Sequence, residues 1–153
     1  MKISDYVDEK HVIFIDEKLD KDALLKLFAE KFRELDAISD SQAIFEALYE
    51  RELLSSTAVG EEVAIPHAKL ANLDDIKMII AISKVGQDFQ AVDNLPVKLF
   101  FVVIAPANKM QLHLKALARI SRLVKMTDFK KRALEQDSAK KVIDILVEEE
   151  NKL

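Results

Sequence analysis

With 153 residues, half of them hydrophobic and a third charged, the chain is long enough to bury a core of its own and too apolar to be disordered. A formal charge of −4 with mixed signs leaves no basic footprint for nucleic-acid phosphates, and the lack of cysteine rules out disulfides, thiolate zinc sites and a cysteine nucleophile. The longest apolar runs, Met78 to Ile82 and Leu99 to Ala107, fall well short of the ~20 residues of a membrane-spanning helix, and the acidic start MKISDYVDEK has no secretory core, so no membrane insertion and a cytoplasmic location are expected.

Only 2 glycines and 3 prolines occur, unclustered, so residues 1–153 are expected to form a single domain without a linker. The apolar stretch from Val12 to Ile15 reads as a first strand. A helix follows from near Asp20, with Ala23 or Leu24, Leu27, Phe28 and Lys31 or Phe32 at amphipathic spacing. Ser39 and Gln42 fit a capping box for a second helix, in which Ala43, Ile44, Ala47, Leu48 and Arg51 share a face. That helix ends around Leu53 or Leu54, and SSTAVGEE reads as a loop leading into the strand VAIPH. Ile76 to Ser83 and Val97 to Ile104 are short, β-branched and aromatic, and read as buried strands flanking a turn-rich stretch with Gly86, Asp93 and Asn94. A third long helix after Pro106 and Asn108 turns Leu112, His113, Ala116, Leu117, Ile120, Leu123 and Val124 inward. Its basic residues Lys115, Arg119, Arg122 and Lys125 read as a solvated face in preference to a phosphate or partner surface. Two further helices, roughly Thr127 to Leu134 and Ser138 to Glu149, close the chain. Strands and helices in this order predict an α+β fold, an α/β/α three-layer sandwich with one mixed sheet.

The most informative run is AIPHA, Ala64 to Ala68. Proline fixes its own φ, favours extended geometry at Ile65 and donates no hydrogen bond, so the strand through Val63 and Ile65 should stop pairing at Pro66 and present His67 at its end. A neutral imidazole held there could take up and release a transferable group, one nitrogen attacking while the other is held. A histidine satisfied within the core is the competing reading, for His67 and more strongly for His113. His11 reads as a surface residue without a role. No HxxxH or HExxH pattern calls for a metal, Ser55, Ser56 and Thr57 lack the glycine-rich elbow of a serine nucleophile, and no glycine-rich loop would bind ATP. Neither metal nor cofactor is expected.

The segments RELLSSTAVGEEVAIPHAK, VDNLPVKLFFVVIAP and HLKALARISRLVK, in this order, resemble the enzyme IIA domain of the fructose/mannitol phosphotransferase family over about half of the chain, the nitrogen-regulatory IIA proteins as much as the sugar-dedicated domains. The resemblance implies a phosphocarrier. His67 would accept a phosphoryl group from the phosphohistidine of the carrier protein HPr, as a tele-phosphohistidine, and pass it on. His113 would lie beside it and Arg51 would border the site. Arg51 could grip phosphoryl oxygens by two N–H groups, with Thr57 and backbone amides of the AVGEE loop adding donors, although Arg51 could equally pair with Glu50 or Glu52. Two histidines and an arginine together would disfavour protonation of either ring.

One departure stands out. Family members commonly carry a second glycine where this chain has Glu62, a carboxylate expected to point away from the site or to pair with a cation such as Lys69. Two functional readings follow: transfer to a separate IIB partner, since no cysteine-type IIB lies within these residues, or regulation by a standalone IIA protein whose phosphorylation state selects its partners. A third, structural reading would keep the fold without the chemistry; His67, Arg51 and His113 together speak against it.

Overall fold

The computed structural model describes residues 1–35 and 40–153. In chain order these form β1 (Val12–Phe14), α1 (Lys21–Glu34), α2 (Ser41–Leu54), β2 (Ala58–Gly60), β3 (Val63–Ala64), β4 (His67–Leu70), β5 (Lys77–Gln87), β6 (Val97–Pro106), α3 (Met110–Met126), α4 (Phe129–Ala133) and α5 (Ala139–Glu150). The strands make one mixed sheet in the order β1-β5-β6-β3-β2, with β4 also beside β6. β5 and β6 pair antiparallel, whereas β1 on β5, and β3 and β4 on β6, are parallel.

Side-chain alternation on the two central strands divides the core in two. Met78, Ile80 and Ile82 of β5, with Leu99, Phe101, Val103 and Ala105 of β6, pack under α3, α4 and α5; Ile79, Ala81, Phe100, Val102 and Ile104 pack under α1 and α2. Both faces are therefore buried, which is why these strands read as unbroken apolar runs. The helices on each side complete the expected three layers.

Most helix starts follow the capping signals. Asp20 caps α1 by accepting from the Ala23 amide at 2.8 Å, and Asp40 caps α2 through the Gln42 and Ala43 amides. The expected cap Ser39 lies outside the described residues. On α1 the buried row is Leu24, Leu25, Phe28, Ala29 and Phe32, while Leu27 faces solvent, so the stripe is rotated from the expected one. On α3, His113, Ala116, Ile120 and Leu123 point inward; Leu112, Leu117 and Val124 are only half-buried.

Three differences from the expected elements bear on the site. Ala58–Gly60, expected to be loop, forms β2 and joins β3 through a two-residue hairpin turn at Glu61 and Glu62. Both turn residues have positive φ, 55° and 70°, as hairpin turns matching the twist of the strands require. Glu62 thus stands where glycine would be relaxed. Its carboxylate is drawn to Lys98 at 3.3 Å and Lys130 at 3.9 Å, not to Lys69.

The strand does not end at Pro66. Val63 pairs with Leu99, Ala64 with Phe100 and His67 with Val103, so β3 and β4 are halves of one strand in a single register along β6. Pro66 removes one donor, yet its carbonyl still accepts from the Val103 amide at 2.9 Å. One lost rung is too little to end pairing, and His67 begins the second half instead of ending the first.

Candidate active site

The position of Ile65 explains how His67 is held. Neighbouring carbonyls of a strand point to opposite sides, so Ile65, between Ala64 and Pro66, turns away from β6. Its N–H donates to the Thr57 carbonyl just ahead of β2 at 3.0 Å. Its carbonyl accepts from His67 Nδ1 at 2.6 Å. A carbonyl oxygen can only accept, so Nδ1 carries the ring proton and Nε2 carries the lone pair.

That lone pair faces Arg51, whose Nε–H donates to His67 Nε2 at 3.3 Å while Nη1 donates to the Ser55 carbonyl at the end of α2 at 3.0 Å. The two bonds lock the guanidinium across the last turn of the helix. Strand alternation places His67 on the α3 side of the sheet, with Val63 and Ile65, and the His113 ring from the first turn of α3 lies 5.4 Å away, tilted by 54°. The two histidines and Arg51, distant in sequence, are thus in one place.

Electrostatics favour neutral rings. Burial pushes the His67 imidazolium below its ordinary range, the Ile65 carbonyl opposes that, and the Arg51 charge lowers it further. His113 is only 4 % exposed and its Nδ1 has no hydrogen-bond partner. Burial first, then the neighbouring His67 and Lys69, hold it down to about 4. Both rings are therefore uncharged at neutral pH.

The rings open into a cavity of about 560 Å³ bordered by Ala47, Glu50, Arg51, Leu54, His67, Ala68, Lys69, Met110, His113, Leu114 and Leu117. Leu54, Met110 and Leu114 are exposed at its rim, so the mouth is apolar around a polar centre. Thr57, expected to contact a phosphoryl group, does not border this cavity. It is buried, and both its amide and its hydroxyl donate to Glu52. Among the described residues no cluster of three or more His, Asp or Glu is placed to hold a metal.

Glu52 and the apolar rim are what sequence reasoning missed. Glu52 continues the row Ile44, Leu48, 52 at four-residue spacing, so a carboxylate on the buried stripe of α2 was the available signal. Leu54, Met110 and Leu114 gave none, because single exposed hydrophobic residues are ordinary.

A three-layer fold thus places a neutral, tautomer-fixed histidine at an open cavity bordered by Arg51 and His113. The family model described as "Phosphoenolpyruvate-dependent sugar phosphotransferase system, EIIA 2" matches residues 6–149, and the chain belongs to this family. It is 37 % identical over 146 residues to a nitrogen regulatory protein of Bradyrhizobium diazoefficiens, covering 95 % of each chain. It is also 34 % identical over 147 residues to the fructose-specific EIIABC component of the phosphotransferase system of Bacillus subtilis, of which it spans 23 %. Among solved structures, the nitrogen regulatory protein IIA-Ntr of Neisseria meningitidis superposes with a TM-score of 0.85 at 26 % identity, covering 94 % of this chain and 98 % of that one.

Proposed function

We propose that the chain acts in the cytoplasm as a single-domain phosphocarrier in which His67 Nε2 accepts a phosphoryl group from the phosphohistidine of HPr and yields it to a separate IIB partner. The observation that carries this reading is the division between the ring nitrogens, Nδ1–H tied to Ile65 and Nε2 left with its lone pair toward Arg51. The Nε2 lone pair forms the new N–P bond as the donor's N–P bond breaks; the donor ring, protonated on its other nitrogen, leaves as neutral imidazole, and the positive charge it gives up passes to the His67 ring. Nδ1 keeps its proton on the Ile65 carbonyl throughout, so no proton need move.

Phosphoryl transfer passes through a loose transition state with charge on three oxygens, and the protein's work is to align the rings and supply donors. Arg51 turns its N–H groups from Nε2 to those oxygens as the phosphoryl group arrives. His113, neutral and buried beside it, borders the same space. Thr57 serves through its place in the frame rather than through its hydroxyl. The apolar rim of Leu54, Met110 and Leu114 suits a protein donor and a protein acceptor, since a small phosphorylated metabolite would have little use for it.

Incubation with phosphoenolpyruvate, enzyme I and HPr, followed by mapping of acid-labile phosphate, tests the reading. Label is expected on His67, absent in His67→Ala and acquired more slowly in His113→Ala. No label on His67 with a cognate HPr overturns it. A regulatory role, with phosphorylation selecting binding partners, is favoured by the end-to-end match to a nitrogen regulatory protein. Transfer of label from the loaded chain to a IIB protein separates carrier from regulator.

A further inference from the structure

Glu52 is 8 % exposed, yet it carries a carboxylate and does not border the cavity of the site. A leucine would continue the row of Ile44 and Leu48 if packing were the only demand. Instead the carboxylate gathers three donors from two other segments, Thr57 just ahead of β2 and Lys21 at the start of α1. The Thr57 amide donates to Oε1 at 3.1 Å, the Thr57 hydroxyl donates to Oε2, and Lys21 Nζ, from the first turn of α1, stands 2.8 Å from Oε1. Lys21 is fixed in turn, its ammonium 4.4 Å from the centre of the Phe89 ring.

From Thr57 the connection runs to the reacting ring in two steps. The Thr57 carbonyl accepts from the Ile65 amide at 3.0 Å, and the Ile65 carbonyl accepts from His67 Nδ1 at 2.6 Å. Each of the two intervening residues is held on both sides. Glu52 is also the neighbour of Arg51 on the last turn of α2, and Arg51 contacts the opposite nitrogen of the same ring. One carboxylate therefore braces both arms that fix His67.

We propose that Glu52 is a positioning residue of this site: by pinning Thr57 and the end of α2 against Lys21, it sets which nitrogen of His67 carries the proton and keeps Arg51 on the other. It does not touch the transferred group. The kinetic consequence rests on the phosphocarrier reading; the tautomer consequence does not.

The test uses the full chain as Glu52→Gln, Lys21→Met with Glu52→Gln, and Thr57→Val. Long-range proton–nitrogen correlation spectra report which ring nitrogen of His67 is protonated, and labelled HPr reports the transfer rate. In the wild type Nδ1 is the protonated nitrogen. Glu52→Gln is expected to mix the two tautomers and to slow transfer by about tenfold, within what misalignment of reacting atoms costs. Thr57→Val, which leaves the ion pair in place and so guards against simple unfolding, is expected to shift the tautomers in the same direction. The double substitution, which removes the stranded ammonium, is expected to recover stability without recovering either signal. An unchanged nitrogen pattern in both Glu52→Gln and Thr57→Val overturns the proposal, as does recovery of the wild-type rate in the double variant. If wild-type His67 takes no phosphate, the phosphocarrier reading fails while the spectra still decide the role of Glu52.

Discussion

His113 should make the stability of this protein fall steeply in mild acid. The ring is 4 % exposed, its Nδ1 has no acceptor, and His67 and Lys69 lie near it, so a proton added there would be a buried, unpaired charge. Its folded pKa is about 4, against 6.5 for a free side chain. Above pH 7.5 the ring is neutral in both states and contributes no pH dependence. Between 6.5 and about 4 the unfolded chain binds a proton that the folded one refuses, so stability is lost as the pH falls through that window and the loss levels off below it. The two and a half pH units amount to about 3 kcal/mol, at 1.36 kcal/mol each. Urea denaturation of the wild type and of His113→Gln, followed by circular dichroism from pH 7.5 to 4, isolates this contribution, since carboxylates and His67 titrate in both proteins. The wild type is expected to lose about 3 kcal/mol more than the variant over that range. Parallel stability curves would refute the reasoning, because they would mean that folded His113 accepts a proton as readily as the unfolded chain does.

Replacing Arg51 with alanine removes the N–H groups aimed at Nε2 and is expected to slow phosphoryl transfer on the order of 10²-fold, as loss of one preorganised donor typically does, with lysine restoring only part; a rate within twofold of wild type counts against its role. Glu62→Gly relaxes a residue at φ 70° and gives up half-exposed ion pairs to Lys98 and Lys130, so stability should change by less than about 1 kcal/mol and the transfer rate by less than threefold. A larger kinetic effect would mean that the carboxylate reaches the site. Gly86→Ala should destabilise by about 2 kcal/mol or more in thermal or urea unfolding, because a Cβ there would stand 2.7 Å from Pro96 Cβ at φ +77°. Wild-type stability in that variant would show that the Pro96 segment can withdraw at little cost.

What could be read from the chain was whatever has a strong local cause. The strands of Ile79 to Ile82 and Leu99 to Ile104 are buried on both faces, so their composition alone marks them. The helices of the two outer layers announce themselves by period, and Pro66 marks His67 as presented. The rest depends on contacts between distant segments. β2 is three residues long and pairs with a β3 of two, too short for any alternation to register, and its hairpin turn uses two glutamates where turn chemistry favours glycine or asparagine. Glu52 is polar by type and buried by position, so only the i, i+4 row betrays it. Glu62 pairs with a cation as expected, but with Lys98 and Lys130, which β6 and α4 bring to it, and not with Lys69, its neighbour in sequence.

The end of the β2 pairing at Thr57 connects these points. Were β2 longer, it would pair with the Ile65 carbonyl and extend alongside β4, and His67 would lie within the sheet with its Nδ1–H unserved. Because the pairing on that side runs out at Thr57, the Ile65 carbonyl is free to take the imidazole proton, and β4 pairs only with β6 among the described residues. The open edge lets the end of α2 reach the ring from one layer and the start of α3 from the other. An unpaired edge strand ordinarily invites pairing with another chain, and this one is guarded by its length of four residues and by the exposed charge of Lys69. The short β2 that leaves this edge unpaired also leaves the Ile65 carbonyl to His67 and the ring within reach of both helix layers, so β2 belongs to the site as much as the histidine does.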